Sequence, residues 1–134
     1  MKNRFLCPKC RADLKIGDHI IFSTQTERGL RGVLLISPEL GNYTIIHDDN
    51  FNYIEGEHVD FYCPVCKENL AIEERDKDLA EVIMIDEKND EYKIVFSEIA
   101  GKRCTWKIKD DKIIESYGED ADEYTNYWGS GPKY

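Results

Sequence analysis

The residues whose types and spacing most clearly suggest chemistry are four cysteines in two similar pairs. Each pair lies in the sequence Cys-Pro-x-Cys, at residues 7–10 and 63–66. A tight turn with two intervening residues can bring two thiolates onto one metal ion, and the proline limits the conformations lost on binding. Two such turns supply the complete tetrahedral set of soft ligands that suits zinc, with no vacant position. We therefore expect one zinc ion per chain, with the ligands Cys7, Cys10, Cys63 and Cys66.

Three other chemistries are open to the same cysteines. They could form disulfides in any of three pairings, although a reducing compartment disfavours a disulfide framework. They could be redox-active thiols, which need a lowered pKa and usually a βαβ context. They could also hold iron or an iron–sulfur cluster. The spacing favours zinc and leaves these alternatives to be tested.

The two turns and the apolar residues before them resemble the paired knuckles of zinc-ribbon and rubredoxin-like proteins. The matching segments are residues 5–10 and 61–66, and the resemblance implies ligand roles for their four cysteines. These families commonly have glycine directly after each second cysteine, where this chain has Arg11 and Lys67. That difference weakens the likeness to iron-carrying rubredoxins. Two cations there would also offset the net negative charge of zinc with four thiolates. Zinc ribbons serve many functions, so the resemblance implies no particular one.

The rest of the chain reads as short β-strands separated by turn residues. Several runs alternate apolar and polar residues, which is typical of half-buried strands, and short links between strands favour antiparallel meanders. We expect a mostly β fold of antiparallel sheets with a zinc-ribbon-like four-cysteine site and at most a short C-terminal helix. The predicted strands are His19–Thr24, Gly32–Ile36, Tyr43–His47, His58–Tyr62, Leu79–Ile85, Glu91–Phe96, Arg103–Lys109 and Lys112–Tyr117.

The strands and turns predict one zinc-stapled β domain over residues 1–118. Within it, residues 11–62 form a β insertion between the two knuckles, and no internal repeat is evident beyond the duplicated Cys-Pro-x-Cys. The fifth cysteine, Cys104, shares a predicted strand face with Trp106, so we expect a small buried hydrophobic residue there rather than a reactive thiol.

Residues 119–134 are predicted to form an acidic and aromatic C-terminal arm. Tyr127 and Trp128 lie three and four positions after Tyr124, so one helical turn would put the three rings on one side. Large rings are favoured at interfaces. We expect the arm to pack on an apolar surface, either this protein's own sheet or a partner's.

Charge and missing motifs exclude several function classes. The net charge of −9 opposes binding to free nucleic acid, although residues 1–15 carry five cations and one anion. The sequence has no Gly-rich phosphate loop, no Gly-x-Ser-x-Gly and no His-Glu-x-x-His, so nothing points to an enzyme. The histidines His19, His47 and His58 lie at no ligand spacing from one another, and we expect surface positions for them.

The sequence shows neither a signal peptide nor an apolar run of membrane-spanning length, which favours a cytoplasmic protein and no membrane contact. The favoured function is a non-enzymatic, structural-zinc interaction module with a protein partner. One alternative is a nucleic-acid-, ribosome- or transcription-associated factor that uses the basic N-terminal knuckle. The other is a rubredoxin-like electron carrier.

Overall fold

The computed structural model describes residues 3–40, 42–43, 45–47, 51, 54–72, 79–101, 103–110 and 112–118. Every regular element in these ranges is a β-strand, which confirms the predicted all-β fold of antiparallel sheets. No helix in this part of the chain is long and apolar enough to cross a membrane. The C-terminal arm, with its predicted short helix, lies outside the described residues.

Ten strands make up the described fold, and all eight predicted strands are among them, with ends that shift by at most two residues. The two additional strands, β1 and β2, are only three and two residues long. The strands are β1 Arg4–Leu6, β2 Lys15–Ile16, β3 His19–Thr26, β4 Arg31–Ile36, β5 Ile45–His47, β6 Val59–Tyr62, β7 Leu79–Ile85, β8 Glu91–Ser97, β9 Thr105–Lys109 and β10 Lys112–Tyr117.

The strands form two five-stranded antiparallel sheets. The N-terminal sheet has the order β2-β3-β4-β5, with β6 also paired to β3, and the C-terminal sheet has the order β1-β7-β8-β9-β10. β1 therefore belongs to the sheet of the second half of the chain, where Phe5 lies opposite Met84. β6 belongs to the sheet of the first half, where Phe61 lies opposite Thr24. The two halves exchange the strand that precedes each cysteine turn.

This exchange is part of a structural repeat. In each half, the exchanged strand leads into a cysteine turn and a short extended segment, and then into three antiparallel strands in a meander: β3-β4-β5 in the first half and β7-β8-β9 in the second. The segments after the turns also match, since the amide of Ile21 donates to Leu14 and that of Glu81 donates to Leu70. The repeat therefore extends beyond Cys-Pro-x-Cys. It was not predicted, because the halves share pairing and alternation rather than residue identities.

The main core lies between the two sheets. Its side chains come from both halves, including Phe5, Leu14, Phe22 and Phe61. A second cluster of buried residues contains Cys104, Trp106 and other residues of the C-terminal sheet, as expected for Cys104 as a small hydrophobic residue. The cysteine turns follow directly from the exchanged strands, so packing of the two sheets also brings the turns together.

Candidate metal centre

The two cysteine turns have the same backbone hydrogen bonds. In the first, the amide of Arg11 donates to the carbonyl of Cys7 over 2.8 Å; in the second, Lys67 donates to Cys63 over 2.9 Å. Arg11 and Lys67 have positive φ angles of 64° and 68°. This left-handed conformation explains why glycine is common at these positions in the families that the turns resemble. Here two cationic residues adopt it.

The first cysteine of each turn accepts two backbone N–H groups at its sulfur. The amides of Lys9 and Cys10 lie 3.2 and 3.4 Å from Cys7 Sγ. In the second turn, the amides of Val65 and Cys66 lie 3.3 and 3.4 Å from Cys63 Sγ. Such donors favour a thiolate over a thiol, because they hydrogen-bond the charged form. Each turn therefore provides the sulfur of its first cysteine with the same two amide donors.

The four sulfurs of the turns meet in one cluster. Cys7 Sγ lies 3.8 Å from Cys66 Sγ, Cys10 Sγ lies 3.8 Å from Cys63 Sγ, and all four sulfurs lie within 4.8 Å of one another. A metal–sulfur bond of about 2.3 Å in a tetrahedron gives a sulfur–sulfur separation of about 3.8 Å. The cluster therefore has the dimensions of a four-thiolate metal site, and the predicted ligand residues are brought together.

All five cysteines are in the described part of the chain, and none forms a disulfide. The sulfurs in the cluster are well beyond the covalent S–S distance of about 2.05 Å. Cys7 and Cys63 are buried, Cys66 is half-buried and Cys10 is exposed. The cluster therefore sits at the edge of the core, with one of its cysteines at the surface.

Burial, backbone amides and neighbouring thiols shift the pKa values of Cys7, Cys63 and Cys66. Burial is the main cause that raises the pKa of Cys7. For Cys66, the amide of Glu68 acts to lower the pKa, but burial and hydrogen bonds with the other three thiols raise it to about 12. Burial acts in the same direction at Cys63, but hydrogen bonds from backbone amides and neighbouring thiols outweigh it and lower the pKa. A cation among the four sulfurs favours their thiolate forms, so metal binding releases protons.

The charges around the turns are partly neutralised. Arg11 forms an ion pair with Glu91 at the start of β8, with a distance of 3.2 Å, and both side chains are about half exposed. Lys9, within the first turn, and Lys67, directly after the second, are both exposed. The basic N-terminal knuckle therefore offers fewer uncompensated cations than its sequence suggests.

A second group of potential ligands was missed by sequence reasoning. His58, Asp60 and Glu98 each offer one ligand atom, and these atoms lie within 4.8 Å of one another. His58 was expected at the surface, but its side chain is only 24% exposed and contacts two carboxylates. His58 and Asp60 are two positions apart in an extended segment, so their side chains lie on the same face. Nothing in the sequence pointed to Glu98. The pairing of His58 with Ile99 brings this distant residue next to the histidine.

A cavity of about 100 Å³ opens between the sheets, and its lining includes Leu34, Phe61, Phe96 and Glu98.

No protein-family model, curated protein or solved structure matches this chain.

Proposed function

We propose that the protein is a non-enzymatic cytoplasmic interaction module whose fold is stabilised by one structural zinc ion. The observation that carries the proposal is the closed cluster of four cysteines at the junction of the two halves. A metal ion with four protein thiolates has no vacant position for water or substrate, which is typical of structural zinc. The resemblance of the turns to zinc-ribbon knuckles supports the same assignment.

A structural role also agrees with the strand exchange. A metal ion in the cluster would join the turn after β1 to the turn after β6, each of which follows a strand paired with the other half. It would therefore fix the two halves against each other at the point where they cross. Metal binding at such a site contributes directly to the free energy of folding.

The surface that best fits a protein partner is the outer face of the N-terminal sheet. Leu35 pairs with Ile21 on one side and with Ile46 on the other, so the three share one face, and Val33 lies two residues from Leu35 on the same side. Val33 and Ile46 are 44% and 45% exposed. Contiguous branched aliphatic side chains across three strands differ from scattered exposed residues and mark interaction sites. We call these four residues the aliphatic face.

The test compares capture of partners by three forms of the tagged protein from the cytoplasm of its source. The double variant Val33→Ser/Ile46→Ser alters the aliphatic face. The matched control is Ile114→Ser, which changes a residue that is 50% exposed on β10 of the other sheet. The same partner should be captured by the wild type and the control and be lost by the double variant. Its affinity, measured with purified components, should fall at least tenfold in the double variant.

Equal capture by all three forms, or no specific capture by any of them, would contradict the proposal. Self-association through the aliphatic face would also contradict it, and sedimentation of the purified protein detects that outcome.

Two alternatives stay predictions. Salt-dependent binding to RNA or DNA would favour a nucleic-acid-associated factor, and a red, iron-containing protein would favour an electron carrier.

A further inference from the structure

His58, Asp60 and Glu98 form a compact group away from the cysteine cluster. His58 Nε2 lies 2.9 Å from Asp60 Oδ1 and 3.4 Å from Glu98 Oε1. One imidazole nitrogen thus faces two carboxylate oxygens from different parts of the chain. Ligand atoms bound to one metal ion at about 2.0–2.2 Å are separated by about 3–3.5 Å. The two distances are close to this range without any movement of the side chains.

Backbone pairing between the two sheets positions the group. The amide of Val59 donates to the carbonyl of Glu98 over 2.8 Å, and the amide of Ala100 donates to Glu57 over 2.9 Å. His58 lies opposite Ile99 in this bridge. The group therefore stands on paired backbone rather than on a free loop, and a scaffold of this kind holds ligand atoms in place.

Burial and charge favour a cation at this place. The side chain of Glu98 is 1% exposed, whereas those of His58 and Asp60 are 24% and 36% exposed. Glu27 is anchored to the backbone of the same segment, since its Oε2 accepts the N–H of His58 over 3.2 Å. A carboxylate buried to this degree requires a proton or positive charge nearby. A divalent ion held by the three side chains would supply positive charge directly at Glu98.

We propose that His58, Asp60 and Glu98 bind a divalent first-row metal ion of the Mn²⁺ or Zn²⁺ class. Zinc accepts imidazole nitrogen and carboxylate oxygen as ligands, and carboxylate oxygen is a preferred donor for Mn²⁺. The partly exposed His58 and Asp60 leave one side of the ion to solvent, so water completes its coordination. This open site differs from the closed cysteine cluster, and the inference does not depend on the proposed interaction function.

The alternative is that the three side chains share only protons in a hydrogen-bonded group. Mn²⁺ binding to protein already loaded with one zinc per chain distinguishes a metal site from a purely hydrogen-bonded group. Mn²⁺ is a hard ion that competes poorly for the cysteine thiolates, so it does not displace that zinc. Mn²⁺ is titrated into this protein while electron paramagnetic resonance follows the signal of the free ion. We expect one Mn²⁺ bound per chain and displacement of that ion by added Zn²⁺.

The variants His58→Gln, Asp60→Asn and Glu98→Gln each remove one ligand. We expect each to weaken Mn²⁺ binding at least about 100-fold, because changes outside the first shell of a metal already cost about 10–100-fold. The matched controls are His19→Gln, in β3, and Glu68→Gln, which is exposed beside the second turn. Both controls should keep the affinity of the wild type.

Two results would overturn the proposal. One is the absence of bound Mn²⁺ up to the millimolar range in wild-type protein that retains its zinc. The other is Mn²⁺ binding that survives both His58→Gln and Asp60→Asn. If Glu98→Gln prevents folding because its side chain is buried, Asp60→Asn decides the outcome, since Asp60 is partly exposed. A circular dichroism spectrum and one bound zinc establish that each variant is folded.

Discussion

Replacing Phe61 with leucine tests how the two sheets pack against each other. Phe61 is buried in β6, two residues before the first cysteine of the second turn. Its ring makes two edge-to-face contacts. The ring centroids of Phe22 and Phe96 each lie 5.2 Å away, with interplanar angles of 89° and 87°. Phe96 belongs to the C-terminal sheet and Phe22 to the N-terminal sheet, so the three rings join the sheets.

The size of the effect follows from these two contacts. Leucine keeps most of the apolar volume but removes both ring contacts, each of which contributes about 0.5–1.5 kcal/mol beyond burial. The ring contacts together are therefore worth about 1–3 kcal/mol. The change of shape in a packed core adds a further cost below about 1.5 kcal/mol.

Phe5 provides a matched control through the structural repeat. It precedes the first cysteine turn as Phe61 precedes the second, and it is equally part of the main core. Among the described residues, no aromatic ring lies in stacking contact with it. Phe5→Leu should therefore show the cost of the shape change without the loss of ring contacts.

The assay is urea unfolding of both variants at equal total zinc, because bound metal shifts apparent stability. The free energy of unfolding of Phe61→Leu should fall by about 1–3 kcal/mol more than that of Phe5→Leu. The m-values should match, so that the comparison reflects stability rather than a changed unfolded state. A loss no larger than that of Phe5→Leu would refute the assignment of the three rings as the link between the sheets.

The remaining predictions concern the turns and one ion pair. Cys63→Ser should lower zinc affinity, and hydrogen exchange should show protection lost first in residues 1–15 and in the second turn; uniform loss across both sheets would contradict this. The pKa of Glu57 is lowered chiefly by its hydrogen bond from Arg28, so its stabilising contribution is present above the ordinary value of 4.5 and is lost as pH falls through the lowered value. Glu57→Gln should therefore reduce the urea midpoint at neutral pH and flatten its decline in acid; an unchanged pH profile would contradict this. Lys67→Gly removes the cost of a left-handed non-glycine residue, about 1–2 kcal/mol, against about 0.5–1 kcal/mol of added chain entropy. It should leave the melting temperature equal or slightly raised with zinc bound, whereas a clear fall would show that the lysine charge supports the site.

The sequence was sufficient to predict eight of the ten described strands and the four cysteines that meet in one cluster. In Thr105–Lys109 the buried Trp106 and Ile108 alternate with the half-buried Lys107 and Lys109. Such alternation shows which side of a strand is buried, and it is a local property of the sequence. The two cysteine turns were also predictable, because Cys-Pro-x-Cys is a local turn signal, and the clustering of their four sulfurs agrees with the predicted metal site. The strands β1 and β2 were not predicted as strands, since two or three residues are too few to show alternation.

The exchange of β1 and β6 could not be read from the sequence. It depends on which distant strand edges meet when the sheets pack, and local pattern does not encode this. The same reason explains why Glu98 was not grouped with His58. These residues are 40 positions apart, and the pairing of the segment around Ile99 with His58 brings them together.

The central claim is that four cysteine sulfurs hold one structural zinc ion at the junction of the two halves. X-ray absorption at the zinc edge tests it most directly, on His58→Gln protein washed with dilute chelator so that only tightly held metal remains. The claim predicts one zinc per chain with four sulfur neighbours at about 2.3 Å. Iron in place of zinc, nitrogen or oxygen among the nearest neighbours, or a metal-free folded protein would contradict it.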